Sequence, residues 1–549
     1  MQLRRLLQCN SLGFILSSAL FFTLFHNALF LYTAWSYINF DSIHSVIFAA
    51  TMPVVIFCAL NIIFSVLTIP LLRKPLIILL LLSSAATNYF MFSYGTVIDA
   101  NMMQSAFETN SQEAAALLTP RMGLWVLLLG ILPSAVVCWV QIHKTRPWWY
   151  MLGLRAANVM LSVVVILLVA ALFYKDYASL IRNNKSVVKM LTPSNFVAGT
   201  IKFAEHRYFS RSLPLVKIGE DAQLGPTILS QEKKTLVILV VGETARAENF
   251  SLGGYLRETN PRLKQDNVVY FRNASSCGTE TAISVPCMFS NMPRSDYDAK
   301  LAAHQEGLMD VLAHAGANML WRDNDGGCKG ACDRIPHIDM TKLQLPQYCE
   351  GDVCMDNVLL HQLDDYINGL KGNGVIVLHQ MGSHGPAYYR RSTPEFRQFT
   401  PTCDSNQIQD CTHAQLVNTY DNSLLYTDAM LDNTIKLLQQ YGDKFNTAMI
   451  YLSDHGESLG ENGIYLHGTP YLFAPSQQTH VPFLMWISAE YERNFAIDRQ
   501  CLNSLAENDE VSQDNLFHTL LGMLNVQTHE YQPHQDILQN CRRHAQGKA

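Results

Sequence analysis

Five long apolar stretches without a charged side chain constrain this 549-residue chain more than any other feature. A helix that crosses a bilayer needs about 20 mostly apolar residues. The stretches of that length cover residues 11–33, 43–72, 75–94, 122–142 and 156–174. The first is longer than the apolar core of a cleaved signal peptide and is followed by further spans. We therefore predict an α-helical membrane domain of five transmembrane helices over residues 1–174.

Basic residues predict the orientation of these spans. They lie before the first span, between the second and third, and between the fourth and fifth, as Arg4, Arg5, Arg73, Lys74, Lys144, Arg146 and Arg155. Loops rich in Lys and Arg stay in the cytoplasm, so the N-terminus is expected there. After five crossings, the chain beyond Tyr174 is expected outside the cytoplasm.

Cysteine usage indicates the same compartment. Ten cysteines follow the spans, namely Cys277, Cys287, Cys328, Cys332, Cys349, Cys354, Cys403, Cys411, Cys501 and Cys541. An even number, mostly in close pairs, is typical of disulfides in an oxidising compartment. We expect neighbours to pair, with Cys501 joined to Cys541. A cysteine zinc cluster is the weaker alternative, because the CxxC pairs of such clusters are missing.

The residue pattern divides the chain beyond the predicted spans into two parts. Residues 175–233 form a connector whose first residues mix apolar and basic side chains, as in a helix on the membrane surface or a solvated one. From residue 234, short β-branched runs alternate with helical stretches, which predicts an α/β domain with a largely parallel sheet over residues 234–549. The net charge of −6 and the absence of a dense basic run give no sign of a nucleic acid partner.

Metal-ligating side chains follow several of the predicted strands. They are Glu243, His379, His384, Asp454, His455 and His467. Each of these residues also has an interpretation that involves no metal. Glu243 could cap a helix, His384 could lie in a turn and His467 could lie on the surface. Because ligands gather at the carboxyl ends of parallel strands, the set together predicts a metal site, with a donor mixture that suits zinc.

A Ser/Thr-rich segment between two cysteines supplies candidate nucleophiles. It reads SSCGTETAISVPC and contains Ser276, Thr279, Thr281 and Ser284. A hydroxyl bound to zinc ionises more easily and can attack phosphorus. The spacing alone favours a Ser/Thr-rich turn without any chemistry.

Several segments together resemble the signature regions of lipid A phosphoethanolamine transferases. They include VVGETARAENFSLGGY, SCGTETAISVPCMFS, WRDNDGGCKGACD, HQMGSHGPAYY and YLSDHGESLGENGIYLHG. That family consists of inner-membrane enzymes of Gram-negative bacteria, and some members confer polymyxin resistance. The resemblance extends over the whole chain and implies a periplasmic domain of alkaline phosphatase/sulfatase-like fold. It also implies phosphatidylethanolamine as donor and lipid A as acceptor, within lipopolysaccharide modification. We expect a monomer.

The resemblance also implies roles for individual residues. Zinc would be held by Glu243, Thr281, Asp454 and His455. Thr281 would be the nucleophile and would carry phosphoethanolamine as a covalent intermediate. The remaining positions would contact substrate or a second metal, namely His384, His467, Lys329, His379, Thr109 and Glu113. Two positions depart from the family pattern, because Glu280 replaces a small residue and Ser105 replaces an asparagine that is common in relatives.

Three other functions are compatible with parts of the sequence. A phosphatase or sulfatase-like hydrolase of the same superfamily would have a similar metal site but no need for membrane spans. A transporter is disfavoured because the spans contain no carboxylate or basic side chain apart from His26 and His44. An inactive envelope scaffold is disfavoured by the complete set of predicted ligands.

Overall fold

The computed structural model describes residues 8–109, 111–143, 147–205, 214–351 and 353–543. The chain forms two compact units. The first comprises Met1–Met103 and Leu118–Phe203, and the second comprises Gln104–Leu117 and Ala204–Ala549. Of the basic residues used to predict orientation, Arg4, Arg5, Lys144 and Arg146 lie outside the described part.

The first unit is built from long apolar helices. Four of them are each long and apolar enough to cross a membrane: α3 (Ile43–Leu67), α4 (Arg73–Tyr94), α7 (Pro120–Trp139) and α8 (Trp148–Asn183). Before them come α1 (Ser11–His26) and α2 (Ala28–Ser36), which are bent by 52° and make a fifth span if the pair is counted as one. The other helices in this part of the chain are α5 (Ala100–Glu108), α6 (Ser111–Leu117), α9 (Ser194–Ala204) and a short helix over Lys185–Val188.

The bend in the first predicted span lies at a π turn and at the Asn27 side chain. The last five residues of α1 form a π turn that ends at His26. The Asn27 side chain donates hydrogen bonds to the carbonyl oxygens of Phe22 and Thr192, at 3.0 Å and 2.8 Å. A side chain that inserts into the hydrogen-bond pattern of a helix is a common cause of kinks.

The other predicted spans also have different bounds in the structure. The second ends at Leu67 rather than at residue 72, and the third begins at Arg73 rather than at residue 75. The fourth was predicted to reach residue 142, but its helix ends at Trp139, and Gln141–Ile142 then pairs in parallel with Gln8–Cys9. The fifth continues to Asn183 and so takes in the first residues of the predicted connector. The helix is kinked at Phe173, where the backbone is non-helical (φ −123°, ψ 21°), so the first residues of the predicted connector form a helical segment beyond this kink.

Polar side chains between the membrane helices are hydrogen-bonded to one another. Asn61 donates to Ser162 Oγ at 2.8 Å, and Asn158 donates to Asn61 Oδ1 at 2.9 Å. Within the first span, His26 Nδ1 lies 3.0 Å from Asn88 Nδ2. These bonds satisfy polar groups that would be costly to leave unpaired in hydrocarbon.

A seven-stranded sheet forms the centre of the second unit. Its strands are β1 (Lys234–Gly242), β2 (Val269–Phe271), β3 (Asn318–Asp323), β4 (His337–Asp339), β5 (Gly374–His379), β6 (Phe445–Ser453) and β7 (Phe483–Ile487). Their order is β2-β7-β6-β1-β5-β3-β4. The five strands from β6 to β4 are parallel, and β7 is antiparallel to both of its neighbours. Six of the strands coincide with the short apolar runs that predicted them, TLVILVV, NVVYF, NMLWR, VIVLH, AMIYLS and PFLMWI, whereas β4 was not predicted.

Helices cover this sheet. They are α10 (Thr281–Met288), α11 (Leu308–His314), α12 (Leu363–Gly369), α13 (His413–Gln440), α14 (Arg499–Asn508) and α15 (Asp514–Met523). All of β5 and β6, and β1 beyond its first residue, are buried, as expected for parallel strands with helices on both faces. The longest of these six helices, α13, begins with a capping box in which Thr412 and Gln415 bond each other's backbone N–H groups.

Five disulfides hold the loops of the second unit. They join Cys277 to Cys287, Cys328 to Cys332, Cys349 to Cys354, Cys403 to Cys411 and Cys501 to Cys541. Four of them close loops of 4 to 10 residues, and the fifth spans 40 residues. Because the entropy lost by the unfolded chain grows with loop length, the last is expected to contribute most to stability.

We predict unequal effects of removing these bonds. Replacing Cys501 and Cys541 with serine should lower the free energy of unfolding by about 4 kcal/mol, against about 2 kcal/mol for Cys328 and Cys332, from the loop-length dependence. Thermal unfolding of the full-length protein in detergent measures the difference. A larger effect from the short loop would contradict the loop-entropy explanation.

Candidate functional site

The carboxyl ends of four parallel strands bring acidic and imidazole side chains to one edge of the sheet. Glu243 follows β1, and Asp454 and His455 follow β6. His379 is the last residue of β5, and Asp323 is the last residue of β3. All five side chains are almost completely buried. Parallel strands place their carboxyl ends together, which explains why residues so far apart in sequence meet here.

Thr281 is the hydroxyl that faces this group. It is the first residue of α10, which the Cys277–Cys287 disulfide ties to the preceding loop. Its Oγ1 donates a hydrogen bond of 3.0 Å to Glu243 Oε2 and lies 3.4 Å from His455 Nε2.

The other three candidate nucleophiles make backbone hydrogen bonds instead. Thr279 Oγ1 donates to the carbonyl oxygen of Thr469 at 2.7 Å, and Ser276 Oγ donates to that of Gly278. Ser284 Oγ accepts a hydrogen bond of 3.0 Å from the N–H of Gly278. These bonds fix the shape of the loop that carries Thr281.

Glu243, Asp454 and His455 have the arrangement of a metal site. Their candidate ligand atoms lie within 4.8 Å of one another. His455 Nε2 is 3.5 Å from Glu243 Oε1 and 3.3 Å from Asp454 Oδ2. Glu243 Oε1 and Asp454 Oδ2 are buried and have no hydrogen-bond partner. Buried carboxylate oxygens are costly without a partner, so these residues fit a bound cation, and the donor set suits zinc.

Burial and like charge shift the pKa values of these groups. Burial, together with the charges of Asp454 and Asp325, raises the pKa of Glu243 well above its usual range. Burial would also raise the pKa of Asp454, but His455 beside it holds that pKa below its usual value. Burial lowers the pKa of His455 to about 4, which keeps the imidazole neutral and able to donate its lone pair.

Two further histidines border the group. His384 Nε2 is 4.0 Å from Glu243 Oε1, and the ring of His467 lies 4.5 Å from that of His455 and 5.3 Å from that of His384. His467 Nδ1 is 2.9 Å from Glu457 Oε2, and Glu457 also accepts a hydrogen bond from the Tyr388 hydroxyl. The carboxylate orients the His467 ring, a role that the sequence interpretation did not assign to Glu457 although it lies in the same DHGE segment.

His379 belongs to a second acidic group next to the first. Its Nδ1 is 2.8 Å from Asp323 Oδ2, and its Nε2 is 3.7 Å from Asp325 Oδ2. Burial would lower the pKa of His379, but the two aspartates raise it to about 9. Burial raises the pKa of Asp325 to about 6, and the positive charges of His379 and Lys329 oppose that rise.

Sequence reasoning missed both aspartates, although the rule used for the other strand ends points to them. They stand at and just after the end of β3, in the segment WRDND. Lys329 follows them and, with Asp323, lines a cavity of about 540 Å³. Its φ is +50°, a conformation that is uncommon outside glycine and often found at functional sites.

The two departures from the family pattern meet in the structure. Ser105, in α5, donates a hydrogen bond of 2.6 Å to Oε2 of Glu280, the residue before Thr281. Ser105 also accepts, through its carbonyl oxygen, a hydrogen bond of 2.6 Å from Thr109 Oγ1. The Glu280 carboxylate is therefore neither solvated nor grouped with the metal-ligating atoms. The side chain of Glu113 lies outside the described part.

A second contact holds the same segment. Asn406, in the loop closed by the Cys403–Cys411 disulfide, donates a hydrogen bond of 2.9 Å to the carbonyl oxygen of Ala116. Residues 104–117 thus pack with the second unit, although they lie between α4 and α7 in the chain. The candidate substrate residue Thr109 is held beside the loop that carries Thr281.

We predict that Ser105 and Glu280 are energetically coupled. A buried carboxylate that loses a hydrogen-bond donor costs about 1–3 kcal/mol, so Ser105→Ala should lower the thermal unfolding midpoint of the second unit. Changing both Ser105 and Glu280 to alanine should cost little more than changing one, because their shared bond is lost only once. Additive losses in the double variant would show that the two side chains act independently.

Comparisons with known proteins agree with this architecture. Residues 235–526 match the sulfatase family model, and residues 56–208 match the model described as phosphoethanolamine transferase EptA/EptB. The chain is 52% identical over 544 residues to phosphoethanolamine transferase EptA of Escherichia coli (strain K12), covering 98% of this chain and 99% of the relative. It is 38% identical over 496 residues to phosphatidylethanolamine transferase Mcr-1 of Escherichia coli, covering 87% and 88%.

A solved structure extends the match to the whole fold. It is described as the integral membrane protein lipooligosaccharide phosphoethanolamine transferase A (EptA) from Neisseria meningitidis. The TM-score is 0.94 at 40% sequence identity, covering 98% of this chain and 100% of that one. With its membrane helices, its sulfatase-type domain and these full-length relatives, the chain belongs to the EptA family of phosphoethanolamine transferases.

Proposed function

We propose that this protein transfers phosphoethanolamine from phosphatidylethanolamine to a phosphate group of lipid A through a covalent intermediate on Thr281. The observation that carries the proposal is the Thr281 hydroxyl, 3.0 Å from the buried carboxylate of Glu243 and 3.4 Å from His455 Nε2. The names of the relatives supply the transferred group, and that of the Neisseria meningitidis protein supplies a lipid A-type acceptor. A transferase whose donor, first product and acceptor are all lipids has a reason to be anchored in the membrane.

Zinc is the proposed cofactor, held by Glu243, Thr281, Asp454 and His455. When bound, it would lower the pKa of the Thr281 hydroxyl and stabilise negative charge on the phosphoryl oxygens. The support is the pair of buried carboxylate oxygens without partners and the neutral His455 beside them. Elemental analysis of the purified protein counts the bound ions and so tests for a second ion near His384, His467 or His379.

The first step forms a bond between Thr281 Oγ1 and the donor phosphorus. Glu243 Oε2 already accepts the hydrogen bond of this hydroxyl and is placed to receive its proton. The bond from phosphorus to diacylglycerol breaks, and the departing oxygen needs a proton. His384 and His467 lie together beside the group and are the proposed donors.

The second step transfers the group onward. An oxygen of a lipid A phosphate attacks the phosphorus, and the bond to Thr281 Oγ1 breaks as the threonine regains its proton. The added ethanolamine ammonium offsets negative charge on lipopolysaccharide, which weakens the attraction of cationic polymyxins. Lys329, Thr109 and Glu113 are proposed to position the lipid substrates.

We also propose the cellular location, the domain boundaries and the oligomeric state of the protein. The Lys/Arg asymmetry and the disulfides support a multi-pass protein of the Gram-negative inner membrane with its catalytic domain in the periplasm. The proposed division is a membrane domain over residues 1–174, a connector over 175–233 and the catalytic domain over 234–549. We propose that the protein acts as a monomer.

Thr281→Ala should abolish lipid A modification, with a loss of at least about 10³-fold, because the attacking oxygen is gone. Thr279→Val is the matched control, since its hydroxyl bonds only a backbone carbonyl. Mass spectrometry of lipid A from cells that express each variant reads out the result. Modification that survives in the alanine variant would remove Thr281 from the mechanism.

Zinc content should depend on the proposed ligands. Purified wild-type protein should contain at least one zinc ion per chain, and Glu243→Gln or Asp454→Asn should lose it together with thermal stability. Glu457→Gln is the control, because that carboxylate contacts Tyr388 and His467 rather than the ligand group. Activity that persists after a strong chelator has removed all metal would contradict the zinc proposal.

Transfer should dominate over hydrolysis. With phosphatidylethanolamine alone, the purified protein should release diacylglycerol slowly, and lipid A should raise turnover greatly while taking up phosphoethanolamine. A lipid A acceptor held beside the covalent intermediate reacts at high effective concentration. Water gains no such advantage unless a general base is positioned to take its proton. Rapid release of free phosphoethanolamine that lipid A does not affect would identify a lipid hydrolase instead.

A further inference from the structure

A cationic cavity of about 870 Å³ lies in the membrane unit at the Arg73 end of α4. It is lined by Arg73 and Lys74, and by Trp139, Val140 and His143 from the chain that follows α7. The 22 residues of α4 span about 33 Å, so this cavity faces the bilayer surface opposite to the Tyr94 end of the helix.

The two cations in this cavity lack an anionic partner among the residues that the structure describes. Lys74 Nζ donates one hydrogen bond, to the carbonyl oxygen of Cys138 at 2.9 Å. In the described ranges, neither Arg73 nor Lys74 forms an ion pair. Two adjacent positive charges without a counterion repel each other and attract an anion.

An apolar groove continues from the cavity toward the bilayer interior. It has a volume of about 500 Å³ and is lined by Phe14, Phe22, Ile77, Leu81 and Leu132 among others. Val140 borders both spaces. The short pairing of Gln8–Cys9 with Gln141–Ile142 brings the walls of the two spaces together. Exposed Trp139 and Trp148 flank this end, as expected at a membrane interface.

We propose that this cavity and groove form a binding site for an anionic glycerophospholipid. The headgroup phosphate lies between Arg73 and Lys74, and one acyl chain occupies the groove. Basic pockets between transmembrane helices are known to bind anionic lipids in this way. The site is separate from Thr281 and does not depend on the reaction proposed above.

The positive charge of the cavity favours a lipid with net negative charge over a zwitterionic lipid. Phosphatidylethanolamine carries its own ammonium group, which would add a third cation to a cavity that already has two. Phosphatidylglycerol has the same phosphodiester without an amine and supplies the missing negative charge. The ligand is therefore expected to be a lipid other than the phosphoethanolamine donor.

Native mass spectrometry of the full-length protein in detergent, titrated with phosphatidylglycerol or phosphatidylethanolamine of equal chain length, tests the proposal. Phosphatidylglycerol should bind at least about tenfold more tightly, because the two cations attract its net negative charge, whereas phosphatidylethanolamine is zwitterionic and has no net charge. The double variant Arg73→Gln/Lys74→Gln should lose the preference for phosphatidylglycerol over phosphatidylethanolamine. Lys175→Gln, an exposed cation near the other end of α8, should leave it unchanged.

The groove is tested separately with Ser17→Trp, a large side chain at an exposed position on its wall. This variant should weaken binding of both lipids while keeping the preference for phosphatidylglycerol. Equal affinity of wild-type protein for the two lipids would overturn the proposal. So would binding of phosphatidylglycerol by Arg73→Gln/Lys74→Gln as tight as that by wild type.

Discussion

The buried contact between Glu243, Asp454 and His455 is the constraint on which the catalytic unit depends. All three side chains are without solvent access, and the His455 imidazole lies 3.5 Å from the Glu243 carboxylate and 3.3 Å from that of Asp454. Charged groups are expensive to bury unless a partner or a metal compensates them. Five parallel strands provide the rigid edge that holds them, and the Cys277–Cys287 disulfide holds Thr281 against Glu243.

Two histidines at the same edge of the sheet differ in protonation because their surroundings differ. Burial keeps His455 neutral, so it can act as a ligand, whereas two aspartates keep the nearby His379 protonated. Around this centre, the bonds from Ser105 to Glu280 and from Asn406 to Ala116 attach residues 104–117 to the catalytic unit. A segment that lies between two membrane helices in sequence therefore forms part of the surroundings of the nucleophile.

Sequence reasoning predicted those features whose signal is local, or that follow from the rule that parallel strands place their carboxyl ends at one edge of a sheet. The β-branched runs predicted six sheet strands, and the ends of those strands predicted Glu243, His379 and Asp454. The three-residue strand β4 is too short and polar to give such a signal. The bend at Asn27 depends on the carbonyl of Thr192, and the bond between Ser105 and Glu280 joins residues 175 apart. Neither can be predicted without the tertiary fold.

The central claim is that Thr281 carries the transferred group. Incubating the purified protein with phosphatidylethanolamine, without lipid A, and analysing its peptides by mass spectrometry tests this most directly. The proposed mechanism predicts a phosphoethanolamine adduct on the peptide that contains Thr281, and loss of that adduct when lipid A is added. Diacylglycerol release without any adduct, or an adduct on another residue that lipid A removes, would contradict it.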